Sequence, residues 1–323
     1  MSKKPLILED YLNYMESIRG ISQNTIKEYF FDLRTFFRYL KIRYSLVDKD
    51  TSMEEIDIDD IDMNMINKVT IQDLHGFISY VDKVLGNSNF AKSRKVASLR
   101  SFFDYLHNKI AIISKNPADQ LEFPKTDNRH PAYLTLEECE KLLNTVLKNK
   151  NEIFRKRDYA IIMLFLNCGL RLSELSSIDL NKIRDDTLIV VGKGNKERTI
   201  YLNESCIAAI NDYIEVRPKP LQGEQALFLS MRKRRMSNRA IQHMVDKYLR
   251  QAGFDTSVYS THKLRHTAAT LMYKYGEVDI RALQEILGHE SVSTTQIYTH
   301  IDDDRLRQAV NSNPLADIKP KSK

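Results

Sequence analysis

Long apolar runs are missing from this sequence, and so is any organised set of cysteines. No stretch approaches the roughly 18 consecutive apolar residues that a membrane-spanning helix needs. The N-terminus, MSKKPLILEDYL, is basic and then amphipathic. It lacks the apolar core and small-residue cleavage site of a signal peptide. These two absences point to a cytoplasmic protein with no membrane partner. Cys139, Cys168 and Cys206 are far apart and odd in number, which argues against a disulfide framework. Each reads as a small core residue. No carboxylate pair or His/Cys set shows ligand spacing, so neither a metal nor another cofactor is expected. Internal repeats and low-complexity segments are also absent.

What is present is a globular composition: 323 residues, 42% hydrophobic and 28% charged, enough for two domains with real cores. The net charge is +6. Residues 48–62 hold eight acids and one lysine, so the rest of the chain is far more basic than the total suggests. A basic body with one acidic segment fits a polyanionic partner, although a merely solvated surface would look the same.

The first part of the chain is patterned as helices. Ser22 is placed to cap a helix whose apolar residues fall at Ile26, Tyr29, Phe30, Leu33, Phe37 and Leu40. Helices are also predicted over 6–18, 70–85 and 88–107, with the acidic segment between 45 and 68 as a connecting loop, either free or partly ordered. In the 88–107 helix, Val96, Leu99, Phe103 and Leu106 form the apolar stripe, and Lys92, Arg94 and Lys95 lie off it as candidate DNA contacts. Residues 113–134 are proline-rich and aperiodic, which predicts a linker between domains 1–112 and 135–323.

The second domain is predicted to be mainly helical, with one small β element. Thr135 opens a capping arrangement, a helix over 155–168 stops at Gly169, and Ser173 is read as the cap of the next helix. TLIVV at 187–191 and RTIYL at 198–202 flank GKGNKE and predict a hairpin. Further helices are expected near 204–216, 237–252, 263–275, 279–287 and 303–311. Arg235 and Arg239, around the start of the 237–252 helix, are further candidate DNA contacts.

Four short segments carry possible chemistry: GLRLSEL at 169–175, VGKGNKER at 191–198, HKLRH at 262–266 and LGHESVSTTQIYTH at 287–300. Singly each is weak; an Arg after a helix usually makes an ion pair, and GKGN is usually just a turn. GKGNKE also lacks the spacing of a nucleotide-binding P-loop. In combination and in this order, with nine residues from His289 to Tyr298, they resemble the catalytic set of the tyrosine recombinase (phage integrase) family, closest to its Xer-type members. SQNTIKEYFFDLRTFFRYL resembles the N-terminal part of the same family.

The resemblance implies a two-domain, C-shaped clamp. An N-terminal helical, SAM-like core-binding domain would be followed by the catalytic domain. It also implies roles. Tyr298 would be the nucleophile; its hydroxyl has an unperturbed pKa of about 10 and needs help to ionise. Arg171 and Arg265 would meet the charge of a pentacoordinate phosphorane, a task suited to a permanently charged two-pronged donor. His289 would add a hydrogen bond to the phosphate, and His262 would be the general base. Lys193 would be the general acid, with Lys196 a competitor on the same turn. Glu174 would orient an arginine or His262, and His266 would be a helper or a core residue. The implied partners are a double-stranded DNA site and further copies of the chain, two on a site and four in the synapse. A second recombinase or an accessory protein is a further candidate partner. The tail after Tyr298 would dock on a neighbouring protomer, or else pack on its own domain. Competing functions are a type IB topoisomerase-like nicking and closing enzyme and a DNA-binding regulator without catalysis.

Overall fold

The computed structural model describes residues 4–48, 50–125, 132–192, 197–276, 278–288 and Thr295. Two compact units divide the chain, Met1–Asn128 and Arg129–Lys323.

The first unit is helical: α1 (Leu6–Ser17), α2 (Gln23–Arg43), α3 (Met63–Asn67), α4 (Ile71–Lys83) and α5 (Asn89–Asp104), which runs into a π-helical turn at Tyr105–Lys109. The starts are set by side-chain caps. Ser22 accepts from the Thr25 amide as its position predicts, and Thr70 and Asp73 form a reciprocal capping box. The predicted stripe of α5 is buried at Val96, Leu99, Phe103 and Leu106. Its core is built from aromatic edges. Tyr11 and Phe36 meet Phe102 and Phe77 at ring distances of 5.3 and 5.2 Å in near-perpendicular pairs.

Two expectations change here. The acidic segment is not a free connector. Ile56, Ile58 and Ile61 alternate with its carboxylates and are buried. Arg38 donates to the carbonyls of Ile56 and Glu54, and Lys41 pairs with Asp60. The start of the predicted linker also belongs to this core, through Ile113, Ala118 and Leu121.

The second unit contains α6 (Leu136–Leu147), α7 (Glu152–Cys168), α8 (Leu172–Ser176), β1 (Ile183–Arg184), β2 (Thr187–Val191), β3 (Glu197–Tyr201), α9 (Glu204–Val216), α10 (Asn238–Gln251), α11 (Thr261–Tyr275) and α12 (Ile280–Leu287). Thr135 and Glu138 form the expected capping box. The predicted hairpin is the β2–β3 pair of a three-stranded antiparallel sheet ordered β1-β2-β3, with Leu188 opposite Ile200. The two-residue strand β1 is too short to show a period in sequence. α7 is the central helix, buried from Ala160 to Leu166. Ser173 is not a cap: α8 starts at Leu172, and the cap is Arg171, two residues before Ser173. All three cysteines are buried, and Cys168 and Cys206 place their thiols 3.9 Å apart. Among the described residues no helix is long and apolar enough to cross a membrane.

The basic residues of α5 are used inside the fold. Lys95, 7% exposed, donates to the buried Asp32 carboxylate at 2.7 Å. This corrects its reading as a DNA contact, since an ammonium sealed against its counter-ion has no path to a phosphate. Arg94 pairs with Glu28 at 2.6 Å and Asp32 at 2.9 Å, and Lys92 pairs with Asp82. Burial pushes the Asp32 carboxyl above its ordinary range, and Lys95 and Arg94 pull it back. Removing one partner of a buried pair costs about 3–5 kcal/mol, whereas removing both is far cheaper. Lys95→Met should therefore lower the unfolding free energy by an amount of that order, read as a lower urea midpoint at unchanged m-value, and the Lys95→Met/Asp32→Leu double variant should recover most of it. A parental midpoint for Lys95→Met would refute this account of the pair.

Candidate active site

The site is built where helices end. α7 stops at Gly169, whose φ of 58° is the left-handed conformation that glycine adopts without strain. A Cβ there would also lie 2.8 Å from Leu287. The chain turns through buried Leu170 and delivers Arg171 as the N-cap of α8. Glu174, one turn on and 1% exposed, reaches back to accept the Arg171 backbone N–H at 2.7 Å and its guanidinium at 2.8 Å. Arg171 is thus held by main chain and side chain together, with its side chain one-third exposed.

Arg265 comes from α11. It is 4% exposed and donates to the carbonyls of Gly169 and Leu287, both at 2.6 Å. The Gly169 and Leu287 carbonyls lie at the ends of α7 and α12, where acceptors lack an intrahelical partner. Arg171 donates to the Gly288 carbonyl at 2.6 Å, and Arg198 of β3 donates to that of Ile286. Three guanidiniums therefore gather on three successive carbonyls at the negative end of α12. Gly288 closes that end at φ 63° and leaves room for Arg198, which a Cβ would approach to 2.9 Å.

Arg198 also donates to Glu174 at 2.9 Å, and Arg265 stands 3.8 Å from the same oxygen. Burial alone would raise the Glu174 carboxyl. The hydrogen bonds and charges of Arg198 and Arg171 outweigh it and hold the group below the ordinary range, ionised. Glu174 thus orients Arg171, one of the two roles that the resemblance left open for it. Arg198 was not singled out from sequence. The available signal was strand alternation: Arg198 shares the face of buried Ile200, so its side chain points inward.

His262 and His266 sit one turn apart on α11 with their Nε2 atoms 3.0 Å apart, so one ring donates and the other accepts. Loss of hydration, then the charges of Arg265, Lys263 and Arg171, push His262 below 6.5. A neutral imidazole beside two guanidiniums is equipped to accept a proton from a group bound there. His266 is placed as its hydrogen-bonding helper.

The structure thus brings Arg171, Arg265 and His262 to one place, with Glu174, Arg198 and His266 around them. Lys193, His289 and Tyr298 lie outside the described residues, as do Lys196 and the tail with its predicted 303–311 helix. Of the two candidate DNA contacts near α10, Arg235 pairs with Asp179 and donates to the Ser176 carbonyl, clamping a loop. Arg239 is exposed on the first turn of α10, 3.5 Å from His243. Among the described residues, no cluster of His, Cys, Asp or Glu is placed to hold a metal ion.

Residues 132–305 match the phage integrase family, and residues 8–109 match the N-terminal SAM-like domain of phage integrases. A tyrosine recombinase XerC from Caldanaerobacter subterraneus subsp. tengcongensis is 56% identical over 97% of this chain and 88% of its own length. The crystal structure of the XerH site-specific recombinase bound to its palindromic difH substrate shares the fold, at 20% identity over 95% of both chains with a TM-score of 0.70. A lambda integrase tetramer bound to a Holliday junction also shares it, at 18% identity over 89% of this chain and 77% of that one with a TM-score of 0.63. The chain belongs to the tyrosine recombinase (phage integrase) family, with the Xer-type recombinases. Its activity is accordingly site-specific DNA recombination.

The electrostatics of His262 give a measurable sign. A neighbouring cation disfavours the imidazolium, so His262 should titrate below 6.5 by NMR, and Lys263→Gln should move that value upward. A downward move would show that Lys263 is not among the causes.

Proposed function

We propose that this recombinase cuts DNA through Tyr298 and that the residues around Glu174 serve that step. The Tyr298 hydroxyl attacks the scissile phosphorus, giving its proton to neutral His262. The bond from phosphorus to the 5′-oxygen breaks, and Lys193 protonates that oxygen. The product is a 3′-phosphotyrosyl link and a free 5′-hydroxyl. Attack by the 5′-hydroxyl of another strand reverses the step and leaves a Holliday junction after one exchange. Arg171 and Arg265 meet the charge of the phosphorane, and His289 adds a hydrogen bond. The phosphotyrosyl bond conserves the energy of the broken strand, so the scheme calls for no cofactor.

The observation that carries this reading is the pair of arginines fixed on Glu174 and the α12 carbonyls. His289 follows Gly288 directly in sequence, and Tyr298 follows nine residues later. The carbonyls that hold the arginines therefore lead straight into the segment of the nucleophile. A double-stranded DNA site is the substrate, and four copies act on two paired sites, in line with the lambda integrase tetramer on a Holliday junction. A second recombinase or an accessory protein would enter at that assembly. The arrangement serves dimer resolution, integration and excision, or inversion equally well. We place the protein in the cytoplasm, with the DNA it acts on. In this reading the first unit, up to Asn128, grips the DNA and the second, from Arg129, cuts it.

The test is a nicked suicide duplex drawn from DNA flanking the gene, incubated with the protein and a chelator. A denaturant-resistant protein–DNA species should form with the parent and vanish with Tyr298→Phe, while DNA affinity stays near parental because only one oxygen is lost. Arg171→Ala and Arg265→Ala should each slow cleavage by about 10²–10³-fold, the loss typical of one oxyanion donor. A covalent species that persists in Tyr298→Phe would refute the nucleophile. Relaxation of supercoiled plasmid lacking a target site would favour a topoisomerase, and tight binding without cleavage would favour a regulator.

A further inference from the structure

The geometry around Glu174 poses a charge problem. Oε1 of Glu174 accepts from the Arg171 guanidinium, and Oε2 accepts from the Arg171 backbone and from Arg198. A carboxylate that orients an arginine also cancels its charge, and in a buried site the cancellation is strong because little water screens it. Yet a phosphorane needs that charge. With Glu174 and the two arginines Arg171 and Arg265 alone, one net positive charge would face the phosphate. With Arg198 there are two.

We propose that Arg198 is a positioning residue for the recombination reaction: it neutralises Glu174 so that Arg171 and Arg265 keep their charge for the reacting phosphate, and it ties β3 to the end of α12. The role rests on the catalytic reading given above. Three observations support it. Arg198 is mostly buried, with its side chain 15% exposed, so it belongs to the site and not to the surface. Its donors go to the carboxylate that holds Arg171 and to the Ile286 carbonyl, the neighbour of the Leu287 carbonyl that holds Arg265. Its Nε is buried without a hydrogen-bond partner among the described residues. A buried guanidinium that leaves a donor unmet among these residues is a poor way to gain stability, and an apolar side chain of similar size would serve the fold better. The charge is what the position retains.

The connection between β2 and β3 carries Lys193, and the chain leaving α12 carries His289 and Tyr298. Arg198 bonds to the end of α12 from the strand that follows Lys193. It therefore joins the strand that follows Lys193 in sequence to the helix that precedes His289 and Tyr298.

The experiment compares Arg198→Gln, Arg198→Lys, Glu174→Gln and the Arg198→Gln/Glu174→Gln double variant with the parent. Single-turnover cleavage of the suicide duplex, DNA affinity and thermal unfolding are read for each. Arg198→Gln should cleave about 100-fold more slowly, the loss of one site charge, with DNA affinity near parental. Arg198→Lys keeps the charge and should retain most of the rate. In the double variant the carboxylate that Arg198 offsets is gone, so it should cleave no more slowly than Glu174→Gln alone. The proposal is overturned if Arg198→Gln cleaves at the parental rate, if Arg198→Lys is as slow as Arg198→Gln, or if the two losses add in the double variant. Should Arg198→Gln fail to fold, the rate of the lysine variant decides: near-parental supports the charge role, and a 100-fold loss overturns it. A parent that forms no covalent species would overturn the catalytic reading and this one together. A cleaving parent with an indifferent Arg198 overturns only this one.

Discussion

The second unit depends on a carboxylate that has no water. Glu174 is 1% exposed, and an ionised group in such a place persists only where fixed charges and hydrogen bonds replace its hydration. Arg171 and Arg198 supply them from opposite directions, one from the start of α8 and one from β3. Everything near the site follows from this demand. Arg171 caps α8 because Glu174 captures its backbone N–H, and β3 is drawn toward α12 because Arg198 spans both. The bond that makes the buried charge tolerable at α8 also fixes the guanidinium of Arg171.

The end of α12 is the second constraint. The last carbonyls of a helix have no partner within it, and here Ile286, Leu287 and Gly288 each accept from a different arginine. Backbone carbonyls are rigid and carry no net charge, so they orient a cation without cancelling it. Glu174 does both. The division of labour is physical: carbonyls aim Arg265, a carboxylate aims Arg171, and the extra negative charge calls for a third arginine.

Much of this was legible in the sequence, and the failures have identifiable causes. Ser22 and Thr135 act through amides three residues away, and Gly169 through its own backbone conformation, so residue type and spacing revealed them. The apolar stripe of α5 was legible because helical period decides burial. Lys95 was misread because the same period says only that it lies off the stripe; its partner Asp32 is 63 residues away, and no local pattern announces such a pair. The ion pairs of Arg94 with Asp32 and of Arg235 with Asp179 also span long stretches of sequence and were hidden for the same reason. Ser173 was read as a cap on residue type, but Arg171 holds the position because a buried Glu174 captures its backbone N–H. The acidic segment hid its order since Ile56, Ile58 and Ile61 are too few to outweigh eight acids in a composition count. Motif order disclosed Arg171, Arg265 and His262, whereas Arg198 needed the strand's facing.

Two glycines explain why the site could be so compact. Gly169 and Gly288 each end a helix in the left-handed conformation, and each lies within two residues of a proposed catalytic group, Arg171 or His289. A residue with a Cβ would be strained at either place, and would also meet Leu287 at one and Arg198 at the other. Ending α7 abruptly leaves the Gly169 carbonyl for Arg265, and the turn that follows delivers Arg171 to the same place. Ending α12 abruptly leaves the Ile286, Leu287 and Gly288 carbonyls, each accepting from a different arginine. The acceptors that aim the arginines thus come from one structural event, repeated at two helix ends, which is why short peptides as plain as GLR and LG carry so much of the described geometry.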